Sequence, residues 1–259
     1  MIDTALTLLQ QPQTWGFLAI GFIAQLFDGA IGMGFGAISS TVLAAIGLPR
    51  EVASASVNGA KILTGAASGI GHIALRNVDW RMLVVLGGSG VLGGALGSIV
   101  LTRHAGPLLG AFVSAYLIVV GLVIILRARG TPPPAVPHAK IGTVGLFGGF
   151  LEAMSGVWGP LVTSNLVAVG VNPRYVVGTG SIAETFVACA VFAILVRHLG
   201  FEQLSLATVG LVTGALLATP IAARITRDLP RKPLMIAVGT LVIFLSIIRL
   251  VRDLRVLLV

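Results

Sequence analysis

The chain has 259 residues, of which 56% are hydrophobic and 10% charged, and its mean hydropathy is +1.02. Soluble chains carry about 25% charged residues, so this composition excludes a water-soluble globular domain and points to an integral membrane protein. The net charge is +8, but Lys and Arg are scattered singly and are not interleaved with aromatics, which argues against a nucleic-acid partner and suits the short loops of a multi-pass protein in a lipid bilayer.

The N-terminal stretch "MIDTALTLLQQPQ" lacks a basic region and does not read as a cleaved signal peptide. A spanning helix needs about 20 apolar residues. Eight segments meet that requirement: 15–47, 52–75, 82–102, 107–127, 141–171, 175–197, 204–223 and 233–251. The expected fold is therefore all-α and polytopic.

The first segment is too long for one crossing. Its 33 residues would reach about 50 Å as a helix, against a hydrocarbon core of about 30 Å. In its middle stands "FDGAIGMGFGA", with Asp28 followed by Gly32, Gly34 and Gly36. This pattern predicts a helix broken by an extended glycine turn. Backbone groups at membrane depth must be satisfied by protein or by a water-lined cavity. The first N–H groups of the resuming helix, with the positive end of its dipole, suit an anion.

Segment 52–75 carries Lys61 about nine residues in, with Asn58 one turn before it on the same face. At about 1.5 Å per residue, Lys61 lies about 14 Å deep. An ionisable residue there is a functional hypothesis by default: it would meet a substrate anion, or form a structural ion pair with Asp28. In segment 82–102, "GVLGGALG" has glycines at small-xxx-small spacing, the signature of close helix packing. The stretch "RARGTPPPAVPHAK" then ends helical structure with its prolines. The expected organisation is a first membrane repeat over 1–128, a Pro-rich linker over 129–140 and a second repeat over 141–259.

The halves echo each other under a shift of 124 residues. Gly21 falls on Gly145, Asp28 on Glu152, Gly32 on Gly156 and Ser40 on Ser164; the dipeptides at 49–50 and 102–103 fall on those at 173–174 and 226–227. Repeated halves with a site at their interface are characteristic of transporters. Segment 141–171 is accordingly a second broken helix, with Glu152 ahead of "SGVWGP" and with Gly156, Gly159 and Pro160 at the break. Pro160 suits the first turn of a new helix, where its missing N–H costs nothing. Segment 175–197 places Glu184 at nearly the depth of Lys61. The lone Cys189 reads as a small packed core residue, and His72 and His198 as interfacial.

Two topologies are open. If each broken helix crosses, the halves are parallel, and the basic residues outside Lys61 divide nine to seven between the two sides. If each folds back as a re-entrant hairpin, the halves are inverted and the division is ten to six. Asp28, Glu152 and Glu184 are the candidates for a coupling proton; the alternative for Asp28 and Glu152 is to brace the glycine turns by accepting backbone N–H bonds. No His/Cys/Asp cluster has metal spacing, and no P-loop or nucleophile elbow is present, so neither an enzyme nor a cofactor is expected.

The blocks "GFIAQLFDGAIGMGFGAISSTVLAAIGLP", "ASASVNGAKILTGAASGIGH", "VDWRMLVVLGGSGVLGGALGS" and "GLFGGFLEAMSGVWGPLVTSNLVAVGVNP" resemble the sulfite exporter TauE/SafE family of membrane permeases, over residues 16–252. The resemblance implies duplicated membrane halves and the movement of small sulfur-containing anions, such as sulfite or sulfonates, across a bacterial inner membrane. The expectation is a secondary transporter, proton-coupled, in which Gly32, Gly34, Gly36, Asn58, Lys61, Gly156, Gly159 and Pro160 hold the anion. An anion channel and a non-transporting accessory subunit are the alternatives, and a homo-oligomer is compatible with either.

Overall fold

The computed structural model describes residues 11–31, 34–104, 106–130, 141–168, 171–225 and 231–258. Gly32 lies outside them. The described residues form ten helices and no strand: α1 (Pro12–Ile31), α2 (Phe35–Ala45), α3 (Arg50–Ala74), α4 (Trp80–Arg103), α5 (Pro107–Ala128), α6 (Ile141–Ser155), α7 (Gly159–Ala168), α8 (Pro173–Leu199), α9 (Phe201–Ile225) and α10 (Arg231–Leu258). Ten helices stand where eight segments were expected because the described residues of 15–47 and 141–171 each form two helices, one ending at Ile31 and the next starting at Phe35, one ending at Ser155 and the next starting at Gly159. Among the described residues, four helices are long and apolar enough to cross a membrane, over Trp80–Arg103, Pro107–Ala128, Arg174–Leu199 and Met235–Leu258. Helix α3 is as long, with 25 residues, but its Ser, Gly, Asn and Lys residues lower its hydropathy. Its first half, Val52 to Lys61, is buried in protein and needs no apolar surface toward lipid.

Several helix starts follow from local chemistry. Asp79 caps α4 by accepting from the N–H groups of Arg81 (3.0 Å) and Met82 (3.1 Å). Asn172 accepts from the Arg174 N–H at 3.0 Å, and Pro173 follows as the first residue of α8. Pro107 opens α5 in the same way.

The main pairings run α1 with α9, α4 with α6, α3 with α8 and α5 with α10. Small residues make the α4–α6 seam. Gly93 meets Leu146, Gly97 meets Phe150 and Ala153, and Gly149 lies against Gly90 and Gly94. Close backbone approach of this kind replaces the hydrophobic drive that lipid does not supply. The opposite face of α4 presents Val84, Val85, Leu92, Leu96 and Ile99 outward, as a lipid-facing stripe does. Cys189 is exposed rather than packed in the core; an apolar segment looks the same in sequence whether its neighbour is lipid or protein.

Contacts also fix helix directions. α8 runs antiparallel to α3, since Phe192 packs on Gly59, Thr185 on Gly65 and Ile182 on Gly69. α1 runs parallel to α9, with Thr14 and Phe17 at Gly210 and Leu18 and Phe22 at Gly214. The C-terminal end of α2 meets the start of α3 and the end of α10, where Arg249 donates to the Ala44 carbonyl and Arg50 pairs with Asp253. Helices α1 and α2 therefore begin and end on one face, called here the Arg50 face. α6 runs parallel to α4, and α7 turns back so that Val162 rests on Gly148. It leads to Arg174, which donates to Asn77 and to the Leu75 carbonyl. Helices α6 and α7 thus begin and end on the other, Asn77 face. These are the directions of two opposed hairpins, each entering from its own face.

The seam predicts a sharp contrast. Gly149→Val would force a side chain into the Gly90 backbone and cost about 1–3 kcal/mol as overpacking, read as a lower melting temperature. Gly88→Ala, on the exposed face of α4 with open space around it, should leave the melting temperature unchanged or higher. The directions predict a labelling pattern in a Cys189→Ser background in sealed vesicles. Ile46→Cys and His198→Cys should react with an impermeant thiol reagent from the same side, and Leu75→Cys from the other. Reaction of 46 and 198 from opposite sides would overturn the hairpin geometry.

Candidate functional site

The two hairpin tips meet. A side chain at Gly36, in the first turn of α2, would collide with the Gly156 carbonyl, so both breaks approach backbone to backbone. Gly156 has φ +68°, in the left-handed region that only glycine adopts without strain. Its N–H donates to the Glu152 carbonyl at 2.6 Å, which closes α6.

Asp28 and Glu152, aligned in sequence, do different work. The Asp28 carboxylate accepts from the N–H groups of Gly34 (2.7 Å) and Phe35 (3.0 Å). It caps α2 across the break with an anion built into the chain, so those two N–H groups are already bonded. Glu152 turns the other way. Its Oε1 accepts from Lys61 Nζ at 2.8 Å, its side chain is 0% exposed, and its Oε2 has no partner among the described residues.

Lys61 is the hub. Its ammonium donates to Glu152, to the Gly156 carbonyl (2.7 Å) and to Glu184 Oε1 (2.7 Å). Three N–H donors meet three acceptors, and the alternative pairing of Lys61 with Asp28 is not formed. The three acceptors come from α6, the second break and α8, so one cation ties α3 to three other parts of the chain. Removing a buried charge's partner costs about 3–5 kcal/mol, so Lys61 and Glu152 depend on each other.

Beside this cluster lies a cavity of about 470 Å³, which runs from the hairpin tips toward His72 in the last turn of α3. Of the candidate site residues expected from the sequence, Asp28, Gly36, Lys61, Gly156, Gly159, Pro160 and Glu184 line it. Gly34 stands just behind, against Asp28. Asn58 is fully buried away from the cavity and donates to the Ser54 carbonyl at 2.9 Å. Glu152 is also hidden, whereas the Glu184 side chain is 26% exposed. The sequence reading took His72 as interfacial and missed the polar stripe that Thr64 and Ser68 form with it on α3, facing Ser181 and Thr185 on α8. Its spacing of three to four residues from Lys61 onward is the helical signal that could have revealed it. Chemically, the cavity offers a buried cation with one part-exposed carboxylate partner, among hydroxyls and a helix start.

The left-handed turn gives a direct check. Gly156→Ala should cost about 1–2 kcal/mol from backbone strain alone, with further crowding against Val57. A melting temperature equal to that of the parent would show that the turn tolerates a Cβ.

A family model described as sulfite exporter TauE/SafE matches residues 17–249. The chain is also 32% identical over 247 residues to a Bacillus subtilis (strain 168) protein named probable membrane transporter protein YtnM, a match covering 92% of this chain and 82% of that protein. No solved structure matches it.

Proposed function

Because the chain belongs to the sulfite exporter TauE/SafE family, it is a membrane transporter, and we propose that it moves a small oxyanion, sulfite or an organosulfonate, across the bacterial inner membrane together with a proton. The halves 1–128 and 141–259, joined by the Pro-rich 129–140, act as inverted repeats. In support, exchanging the halves maps the α1–α9 pairing onto α6–α4 and maps α3–α8 and α5–α10 onto themselves. The six longer helices cross the membrane, and the two hairpins meet at its centre. This topology places ten basic residues with the Asn77 face and six with the Arg50 face, so the positive-inside rule assigns the Asn77 face, and with it the cavity, to the cytoplasm.

The observation that carries the reading is that, of Lys61's two carboxylate partners, only Glu184 lines the cavity. With all three groups ionised, the cluster of Lys61, Glu152 and Glu184 has charge +1 −1 −1 = −1. A proton on Glu184 brings it to zero and frees one N–H of Lys61 toward the cavity. An oxyanion then takes the place that the carboxylate left, and the cluster returns to −1. Anion and proton enter together because a second negative charge at membrane depth is costly. Gly36, Gly156, Gly159 and Pro160 shape the floor of this site, and Asp28 holds α2 in place beneath it. The tight packing between the cluster and the Arg50 face favours a carrier over an open pore.

Transport by purified protein in proteoliposomes tests this. Lys61→Met combined with Glu152→Gln removes the buried pair together and so leaves no unpaired buried charge from it, while the lost donor to the Gly156 carbonyl should lower the melting temperature without unfolding the protein. Loss of a charge-assisted contact worth about 1.5–3 kcal/mol should lower sulfite transport about 10- to 100-fold. Glu184→Gln should still move the anion while losing its response to an imposed pH gradient. Parent-like transport by the double variant would sink the proposal.

A further inference from the structure

On the Arg50 face lies a second pocket, of only about 30 Å³, beneath the guanidinium groups of Arg50 and Arg249. One water needs about 10–15 Å³, so with the Arg50 face closed the pocket has room for one or two waters, and an oxyanion fits only once Arg50 and Arg249 move apart from Asp253. Its wall is mostly apolar, from residues such as Val113, Leu117 and Leu245, but Thr41, Ser54 and Ser246 bring hydroxyls to it. Thr41 and Ser246 are 3% and 2% exposed, and their hydroxyls have no hydrogen-bond partner among the described residues; nor does Arg249 Nε. Buried polar groups are ordinarily satisfied, so unpartnered hydroxyls and a guanidinium N–H around one pocket call for a polar occupant, which water supplies when the face is closed and an oxyanion can supply when it opens. The pocket is also placed on the route. Ser54 donates to the Ala153 carbonyl at 2.6 Å, next to Glu152, so the pocket floor is the reverse side of the Lys61 cluster.

The lid is electrostatically unbalanced. One carboxylate, Asp253, serves two guanidiniums: it is hydrogen-bonded to Arg50, and its Oδ2 lies 3.9 Å from Arg249 Nε. Arg249 also latches the end of α2 through the Ala44 carbonyl. A small oxyanion presents to guanidinium the same pair of oxygens that a carboxylate does.

We propose that this pocket is a second station for the transported oxyanion, which takes Arg50 and Arg249 over from Asp253 and thereby opens the Arg50 face. The anion is then the key to its own exit: the ion pair closes the face when the station is empty and yields when it is filled. The proposal rests on the reading of the chain as an anion transporter.

The test uses the purified full chain with Cys189→Ser and Ser246→Cys, and follows the rate of maleimide labelling, with methanesulfonate as the probe anion. Labelling should be slow in this background and remain slow with Asp253→Glu. Asp253→Asn should speed it about tenfold or more, as expected for loss of a charge-assisted pair. Millimolar methanesulfonate should slow it again, and should do so equally when Lys61→Met and Glu152→Gln are added. An unchanged rate in Asp253→Asn, absence of protection, or protection that disappears with the Lys61 variant would each overturn the second station. Should any of these occur while the Lys61 variant abolishes transport, the central site stands and only this inference falls. Protection at position 246 alongside parent-like transport by the Lys61 variant would keep the station and remove the central site.

Discussion

One ammonium group organises the centre of this molecule. Lys61 reaches from α3 to Glu152 at the end of α6, to the Gly156 carbonyl in the second break and to Glu184 on α8. Each partner would be unfavourable alone at this depth. A carboxylate without a cation there is costly, and an unwound carbonyl in place of a helical one must find another donor. The break between α6 and α7 is therefore tolerable because the lysine is present, and the lysine is tolerable because the break and two carboxylates surround it.

The glycines serve that arrangement at close range. Only residues without a Cβ let the Gly36 and Gly156 backbones touch, and only the left-handed turn at Gly156 aims its carbonyl at Lys61. The α4–α6 seam then holds the second hairpin from behind, through Gly90, Gly93, Gly94 and Gly97. Glycines that look alike in composition thus do two jobs: some bring helices together along their length, and two bring hairpin tips together at a point.

The breaks were legible in the sequence because two apolar segments exceed the membrane's thickness and carry glycine in their middles. The importance of Lys61 was legible for a similar reason, since no surface lies within its reach. The roles of the two aligned acids were not. Asp28 and Glu152 both precede a glycine turn, and nothing local separates them. The difference lies 124 residues from Lys61, where the second half has Thr185: with one lysine for two breaks, one acid pairs and the other caps. The polar stripe Lys61, Thr64, Ser68, His72 follows helical spacing and could have been read. The burial of Asn58 could not, because it depends on how α3 is rotated against α6 and α8. The exposure of Cys189 could not be read either, because lipid and protein interior select the same side chains.

Water in a cavity that extends to Lys61 carries the electrical potential of its own compartment into the protein. In the proposed topology the transmembrane voltage falls mostly across the short, tightly packed stretch between the Lys61 cluster and the Arg50 face, where the remaining pocket holds about 30 Å³. A unit charge crossing the full drop exchanges about 2.3 kcal/mol per 100 mV. The contact of Gly36 with Gly156 is therefore the insulator of the device as well as its floor. In that topology a charge that passes this short stretch does nearly the electrical work of a whole crossing.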